Sequence, residues 1–467
     1  MKINIRNNYL RKLFKGTFTA IFFYTIYMGL NYNYSFDYIF IIPAVFSLLM
    51  MLSNFYDLLG RFVGISILFV ILFMRYIVSP IYSMNNQIYF HSNAVRTYFE
   101  DNITAIVLMI LEMIVILFVL RKHRLTLLTS YKIFNGKFTF TENNGFLMIY
   151  ALIGLLSFAI FPSIQERTNL LFASGFGDSH LNTIAAIGMI FVQVGIYSLF
   201  IYFLNLKGLG KTRYHIFISF LTLIIALFQI TVYWSESRTY VASMGIATVF
   251  LLNKSQVLSK TILMAITIIS LLAVISLSGL QMFEDGAISN FQGNVDVPSS
   301  SKNQFVTDNY QAYFGGNHLI ALTSKSYDEI NSQIDILVFF NEIIGSITFV
   351  RQIIPPSDNQ TTVHFNYLFG HTDENTIILP MLGQSYLYFG FFGSWILSFG
   401  VIRLLVYFEI MFLKSRDLGV KFAFLIGCIW LGLFPMQNIN IISATIFNVF
   451  GFTYLLFKLN ERFKISL

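Results

Sequence analysis

The stretch ITAIVLMILEMIVILFVL, residues 103–120, decides the fold, because it is long and apolar enough to cross a bilayer and carries one charged residue, Glu112. A helix needs roughly 20 predominantly apolar residues to span the hydrocarbon core. Similar runs recur along the chain, which is 56% hydrophobic and 11% charged, with a mean hydropathy of +0.68. Soluble domains average about 25% charged residues. The predicted fold class is therefore an all-α polytopic integral membrane protein.

The apolar runs predict about twelve transmembrane helices with both termini in the cytoplasm. They cover residues 13–30, 38–55, 62–80, 103–120, 145–162, 182–205, 214–234, 239–253, 261–280, 389–413, 422–436 and 440–457. In this topology cytoplasmic segments hold 22 of the 30 Lys and Arg residues and external segments hold six. Because positive residues prefer cytoplasmic loops, this bias favours an even number of spans. The first run has no small-residue cleavage site after it and is predicted to be retained.

A polar segment, residues 281–380, separates a membrane domain of residues 1–280 from a second membrane portion, residues 381–467. We predict that this late segment forms one external subdomain. Residues 289–309 are rich in Ser, Asn, Gln and Gly and are predicted to be irregular. Residues 334–354 are apolar, and we expect a helix on the membrane surface or under the loop. Cys428 is the only cysteine, so no intramolecular disulfide is possible.

Three arginines are candidate ligands for an anionic substrate group. Arg238 lies in a tight turn, residues 234–240, between two predicted spans, Arg351 ends the apolar helix of the late segment, and Arg75 lies within the third span. A guanidinium matches phosphate oxygens bidentately, which suits a pyrophosphate. Each arginine also has a structural interpretation, namely an internal ion pair, an interfacial anchor or snorkelling to the outer surface. Glu112 is equally compatible with a structural partner for a buried arginine and with a catalytic acid.

The densest external group of titratable side chains lies near the end of the late segment. His371, Asp373 and Glu374 are candidate catalytic residues, because a histidine oriented by a carboxylate can act as a general base near neutral pH. The aromatic side chains nearby suit stacking on sugar rings, and the candidate sugar-binding residues are Tyr240, His364 and Tyr367. The structural alternative is a solvated loop with an ordinary surface histidine.

Several chemistries have no support in the sequence. The chain lacks a phosphate-binding Gly-rich loop with Lys-Ser/Thr, a nucleophile elbow, a His-Glu-x-x-His motif and a cysteine pair for zinc. The first external loop has one acid, Asp37, whereas metal-dependent membrane glycosyltransferases usually carry an acidic pair there. We therefore predict no metal and no cofactor. The net charge of +7 is explained by membrane topology and predicts no nucleic-acid partner.

The chain resembles the O-antigen polymerase family, the Wzy-type oligosaccharide repeat-unit polymerases, and more distantly the O-antigen ligases. The matching features are the twelve-span layout, the long late loop, Arg238 on an earlier external turn, and a glycine-aromatic run. That run extends from Leu382-Gly383-Gln384 through Tyr388-Phe389-Gly390-Phe391-Phe392-Gly393. The region of His371 is similar to that of the histidine that the ligases carry late in their loop.

The resemblance implies a polysaccharide polymerase of the bacterial cytoplasmic (inner) membrane, with its active site on the external, periplasmic face. The reaction it implies is a metal-independent inverting glycosyl transfer. The donor and acceptor would both be glycans linked to undecaprenyl pyrophosphate, and the other implied partners are membrane lipids and a chain-length regulator protein. The alternatives are a flippase or transporter of lipid-linked oligosaccharides and an O-antigen ligase. Transporters often show internal repeats, and we find none here.

Overall fold

The computed structural model describes residues 2–31, 37–92, 94–134, 139–141, 144–167, 183–210, 215–231, 238–255, 264, 267, 268, 299–351, 360–368 and 378–463. Within these ranges the chain is helical or irregular, apart from an isolated bridge between Thr139 and Asp417. The predicted all-α class is therefore confirmed for the described part.

The amino-terminal part contributes ten of the described helices. They are α1 (Lys2–Asn31), α2 (Ile41–Leu52), α3 (Val63–Phe73), α4 (Ser79–Asn86), α5 (Phe99–Phe134), α6 (Gly145–Ile160), α7 (Pro162–Arg167), α8 (Thr183–Leu209), α9 (His215–Thr231) and α10 (Arg238–Ser255). A π-helical turn, Met74–Val78, joins α3 to α4, so that both form one continuous helix.

The late segment and the carboxyl-terminal part contribute the remaining described helices. They are α11 (Ser299–Phe314), α12 (Asn317–Lys325), α13 (Tyr327–Asn331), α14 (Ile336–Gly345), α15 (Thr361–Tyr367), α16 (Met381–Gly393), α17 (Ile396–Lys414), α18 (Leu418–Gly432), α19 (Ile439–Ala444) and α20 (Phe452–Arg462). A second π-helical turn, Thr445–Gly451, makes α19 and α20 continuous, whereas a 3₁₀ turn, Phe434–Met436, follows α18.

Six helices in the described part are long and apolar enough to cross a membrane. They cover Arg11–Asn31, Val63–Asn86, Phe99–Phe134, Ile184–Leu209, Ile396–Lys414 and Ile439–Arg462. Five further apolar helices have 10–17 residues and fall short of that length. The structure thus supports a membrane protein, while the predicted span at 261–280 lies almost wholly outside the described residues.

One predicted span begins in the wrong place. We expected it to cover 389–413, but Gly390 has φ +65° and interrupts α16, and the long helix begins at Ile396. The glycines of the aromatic run permit this break, since a residue without Cβ adopts positive φ at little cost. The glycine-aromatic run therefore ends a separate helix that turns into α17.

Close helix contact at the centre depends on small residues. A Cβ on Gly64 would lie 2.3 Å from the carbonyl oxygen of Cys428, and one on Gly432 would lie 2.5 Å from that of Gly64. Helices α3 and α18 therefore approach backbone to backbone, as small residues allow in membrane bundles. The carboxylate of Glu409 accepts the Gly64 N–H at 2.6 Å, which satisfies a donor at the buried start of α3.

Loops that the sequence assigns to the same side meet at the same end of the bundle. Arg124 forms an ion pair with Asp57, and the Thr139 N–H donates to the Arg416 carbonyl at 3.1 Å; all these residues belong to segments predicted to be cytoplasmic. At the other end, the Lys325 Nζ donates to the Arg96 carbonyl at 2.6 Å. Helices that cross a membrane in alternating directions would place these loops in the same two groups.

The late segment is more ordered than the sequence predicts. Residues 299–309 belong to α11, so the expectation of irregular structure over 289–309 is wrong for that part, and residues 289–298 lie outside the described residues. Tertiary hydrogen bonds explain the difference, because Gln304 Nε2 donates to the Phe90 carbonyl at 2.9 Å and Asp308 accepts from the Ser92 N–H at 3.0 Å. Polar residues favour loops on average, but partners on another segment override that tendency.

Candidate functional site

The candidate site lies where the late segment meets the apolar helices. Helix α12 is buried from Asn317 to Thr323 and packs against α5 and α16. Its side chains divide between two cores, since Ile320 belongs to the main core and Leu322 to a small core shared with Phe365 of α15. The late segment is therefore inserted among the other helices instead of lying loosely above them.

A tight turn positions this insertion. Gly315 has φ +61°, and a Cβ there would lie 3.0 Å from the side chain of Pro380 and 3.1 Å from the carbonyl oxygen of Pro435. Only a residue without a side chain fits this crowded left-handed position. The turn thus brings the start of α12, the start of α16 and the end of α18 together.

The charged centre of this junction is a fully buried ion pair. Arg75 Nη2 lies 3.3 Å from Glu112 Oε2, and both side chains have no exposed surface. The Tyr76 hydroxyl donates to Glu112 Oε2 at 2.5 Å and the Ser398 hydroxyl donates to Oε1 at 2.7 Å. The carboxylate is therefore held by groups from two other helices as well as by the arginine.

Arg75 also contacts the end of α18. Its Nη1 donates to the Pro435 carbonyl at 2.6 Å, a carbonyl that the break after α18 leaves free of a helical partner. The Nε of Arg75 is buried without a hydrogen-bond partner among the described residues. A buried guanidinium with an unused N–H could donate a hydrogen bond to a further anionic or carbonyl oxygen if the junction opened.

A second buried carboxylate, Glu342 of α14, holds four elements together. The Thr361 N–H and hydroxyl donate to Glu342 Oε1 at 2.6 and 2.8 Å, and Gln384 Nε2 donates to Oε2 at 2.6 Å. Gln384 Oε1 in turn accepts the Ile439 N–H at 2.8 Å. In the described part no Lys or Arg forms an ion pair with Glu342. We call Glu342, Thr361, Gln384 and Ile439 the carboxylate cluster.

The carboxylate cluster explains how α15 is positioned. Thr361 is the first residue of α15, so Glu342 satisfies an amino-terminal N–H of that helix and fastens it to α14 and α16. Buried charges are tolerated in proteins when hydrogen bonds replace the lost water. Three donors within 2.8 Å meet that condition here.

The segment before α5, residues 87–98, contacts helix α12 at this junction. The His91 N–H donates to His318 Nδ1 at 3.0 Å, so the neutral ring of His318 carries its proton on Nε2. Burial, reinforced by the neighbouring His91, lowers the pKa of His318 to about 3. His318 is therefore uncharged at neutral pH and acts as a hydrogen-bond acceptor between α12 and residues 87–98.

The sequence-predicted arginines occupy different environments. Arg75 is enclosed in its ion pair, whereas Arg351 is exposed after the turn that follows α14. The sequence also allows an ion pair between Arg351 and Glu342, but Thr361 and Gln384 bind the Glu342 carboxylate instead. Arg238 is the first residue of α10, and its side chain lies outside the described part.

The predicted sugar-binding and catalytic residues are also separated. Tyr240 is 6% exposed, and its hydroxyl is hydrogen-bonded to that of Tyr197 in the core. His364 and Tyr367 share α15 with ring centroids 6.4 Å apart, and Tyr367 is 51% exposed. The structure thus brings this pair together, while His371, Asp373 and Glu374 lie outside the described residues.

Sequence reasoning overlooked the carboxylate cluster. Glu342 stands inside an apolar run, and ionisable residues in such runs are functional hypotheses by default, so that signal was present. No local pattern identifies Thr361 or Gln384 as members of the cluster, because they stand 19 and 42 residues after Glu342 in the sequence and meet it only in the folded chain.

Comparison of the chain with protein-family models, curated proteins and solved structures finds no match. The geometry of the junction and the sequence patterns therefore carry the functional argument alone.

Proposed function

We propose that this chain is a polysaccharide polymerase that joins oligosaccharide repeat units linked to undecaprenyl pyrophosphate. The reaction would take place on the external face of the bacterial cytoplasmic membrane, with twelve spans and both termini in the cytoplasm. The proposal rests on one observation. The polar late segment packs between apolar helices, next to the buried ion pair of Arg75 with Glu112 and the carboxylate cluster. An enzyme with two lipid-tethered substrates needs such a segment beside the ends of its spans, where sugars and hydrocarbon meet.

In the proposed reaction the acceptor hydroxyl attacks the anomeric carbon of the donor sugar. The bond from that carbon to the pyrophosphate oxygen breaks, undecaprenyl pyrophosphate leaves with the electron pair, and the hydroxyl proton passes to a base. Arg238 and Arg351 would neutralise the pyrophosphate, and electrostatic stabilisation of this kind removes the need for a metal. Arg75 would join them only after its pair with Glu112 opens. The base would be His371, Asp373 or Glu374.

The sugar-binding role falls differently on the three aromatic candidates. His364 and Tyr367 support it, because Tyr367 is exposed next to His364 and the carboxylate cluster holds their helix in place. The Nε2 of His364 is buried without a partner among the described residues, so it would bind a sugar hydroxyl only after the surrounding groups move. Tyr240 would contribute only through packing unless the core around Tyr197 rearranges.

The test is chain growth by purified protein in detergent with lipid-linked repeat units and excess EDTA. We expect longer glycans from the wild-type chain, a roughly 10²–10³-fold loss of extension rate in Arg238→Ala, and partial recovery in Arg238→Lys. Lysine keeps the charge but not the bidentate geometry. Full-length glycans from Arg238→Ala would exclude the pyrophosphate role, and activity restored only by a divalent ion would exclude the metal-independent reaction.

A second candidate, a flippase of lipid-linked oligosaccharides, is favoured by two specific observations. An ion pair, Arg75 with Glu112, is buried within spans, and π-helical turns interrupt two long helices at Met74–Val78 and Thr445–Gly451. Buried charges and broken helices occur in transporters. A flippase would give no chain growth in detergent but would move lipid-linked sugars across sealed vesicles. A ligase would instead transfer finished glycan to a different acceptor in the same detergent assay.

A further inference from the structure

Helix α14 presents an apolar face that no other described element covers. Ile336, Leu337 and Phe340 are 53%, 66% and 51% exposed. The change along the chain is abrupt, because Ser332 and Asp335, just before the helix, are polar and exposed. Large exposed apolar side chains at neighbouring helical positions indicate contact with a partner or with lipid.

The opposite face of α14 follows the last long helix, Ile439–Arg462. Near the start of the long helix, Gln384 Nε2 donates to the Glu342 carboxylate of α14 and also lies 3.2 Å from Asn440 Oδ1. Farther along, the ring of Phe349 lies 5.7 Å from that of Phe452. From Glu342 onwards, α14 and the turn after it thus run beside the long helix from its first residues to its middle.

The depth of this path follows from helix geometry. Asn448 and Phe452 stand nine and 13 residues after Ile439, which corresponds to roughly 14–20 Å at 1.5 Å per residue. A hydrocarbon core is about 30 Å thick. If Ile439–Arg462 crosses the membrane, the turn at 346–350 lies within the hydrocarbon layer.

Two polar backbone groups of this turn are satisfied by a side chain of the long helix, as that depth requires. The Thr348 N–H donates to Asn448 Oδ1 at 3.0 Å, and Asn448 Nδ2 donates to the Ser346 carbonyl at 3.0 Å. Irregular backbone within a membrane persists only where protein groups replace water. One side-chain amide of the long helix therefore supplies both a donor and an acceptor to the turn.

The exposed face of α14 also continues the apolar surface of its neighbours. Phe447 and Leu455 of the last long helix are 50% and 54% exposed, and Phe392 at the end of α16 is 88% exposed. Phe339 of α14 packs against Phe389 of α16 with centroids 5.5 Å apart, which places the two surfaces side by side. The occupant that fits a continuous apolar surface beside membrane-crossing helices is the bilayer itself.

We propose that residues 336–350 form a re-entrant segment whose apolar face contacts the acyl chains of bilayer lipids. The segment enters beside Ile439 and does not belong to the water-exposed part of the late loop. Arg351 ends it, so the pyrophosphate role of Arg351 in the proposed reaction would require the segment to move towards the external face. The proposal is independent of the proposed enzymatic function, because it concerns only where the segment lies.

The experiment uses spin labels on the full-length protein in lipid nanodiscs. Single cysteines replace Leu337, Phe340 and Ser332, and Cys428, which is 1% exposed, stays in place as an unlabelled background. Collision with oxygen reports hydrocarbon, and collision with a polar nickel chelate reports water. We expect the labels in Leu337→Cys and Phe340→Cys to favour oxygen by at least fivefold relative to the label in Ser332→Cys.

Each other outcome overturns the proposal. Nickel accessibility at Phe340→Cys equal to that at Ser332→Cys would place α14 in water. Low accessibility to both reagents would mean that protein, such as a second copy of the chain, covers the face. If the cysteine variants fail to fold, Phe340→Trp provides a second measurement: its added fluorescence should be quenched by lipids brominated on their acyl chains, and no quenching contradicts lipid contact.

Discussion

At the scale of single residues, the pair of Arg75 and Glu112 shows how burial changes the meaning of a charge. The sequence placed each residue in an apolar helix and left several roles open. The two are fully enclosed and 3.3 Å apart, and Tyr76 and Ser398 complete the coordination of the carboxylate. Each of the two charges compensates the other in the buried interior, and any role in substrate binding requires the pair to separate.

We predict strong non-additivity between these two residues. Removing one partner of a buried ion pair costs roughly 3–5 kcal/mol, since the other charge is left uncompensated. Arg75→Met and Glu112→Leu should each lower the thermal unfolding temperature of the detergent-solubilised protein markedly. The double variant should be more stable than either single variant. Additive losses in the double variant would show that the two charges do not depend on each other.

The same double variant separates structure from catalysis. If Arg75 also binds pyrophosphate, the stable double variant should remain slow in glycan extension. Full activity in a folded double variant would assign the pair a purely structural role. The partly exposed pair of Lys458 and Glu461, three residues apart on one helix, is the control for stability, because exposed pairs contribute only about 0–1 kcal/mol.

At the scale of elements, helix α12 links the late segment to the rest of the molecule. It is buried along most of its length, and its His318 accepts a hydrogen bond from the segment before α5. The sequence around it, rich in Asn, Gln and Gly, gives no sign of burial. The polar groups around α12 tolerate burial because they form hydrogen bonds with one another. Gln311 Oε1, for example, accepts the His318 N–H at 3.2 Å.

We predict that the late segment loosens as the pH falls. The pKa of His318 is lowered to about 3 in the folded chain, against an ordinary value near 6.5. Between these values the unfolded segment binds a proton that the folded one does not, so stability is complete above about pH 6.5 and declines towards pH 3. His91 and Lys325, which face His318, oppose its protonation further.

Hydrogen exchange of residues 299–331 measured from pH 7 to pH 4.5 checks this expectation, after correction for the intrinsic exchange rate. Protection should decrease in the wild-type chain and remain nearly constant in His318→Asn, whose amide oxygen takes the place of Nδ1 and can still accept the His91 N–H. His364→Asn is the matched control and should keep the wild-type pH dependence. An unchanged slope in His318→Asn would assign the effect to other groups.

At the scale of the whole molecule, contacts between loops group the ends of the helices into two sets. Asp57, Arg124, Thr139 and Arg416 meet at one end, while Arg96 and Lys325 meet at the other. The distribution of Lys and Arg predicts that the first set lies in the cytoplasm.

We predict a corresponding pattern of cysteine labelling in intact cells. Lys122→Cys and Lys458→Cys should be shielded from a membrane-impermeant thiol reagent, and Ser300→Cys should react. Permeabilised cells, in which all three should be labelled, control for folding. Shielding at position 300 with labelling at 122 would invert the topology and would place the late segment in the cytoplasm.

The sequence alone determined the class of this protein and its main apolar helices. These features follow from local composition, because every run of apolar residues must leave water and every backbone group in lipid must be paired within a helix. The sequence also marked Arg75 and Glu112 as unusual, since a charge in an apolar run is conspicuous by itself.

Only the tertiary structure decided which of the conspicuous residues meet. The pairing of Arg75 with Glu112, the carboxylate cluster around Glu342 and the ordering of residues 299–309 all depend on partners far away in the chain. Local propensity carries no information about such partners, because a buried polar group is tolerated or excluded according to the donors and acceptors that packing brings to it. For the same reason, only the packing of α14 against the long helix Ile439–Arg462 revealed that an apolar stretch of the predicted external loop follows a helix long and apolar enough to cross a membrane.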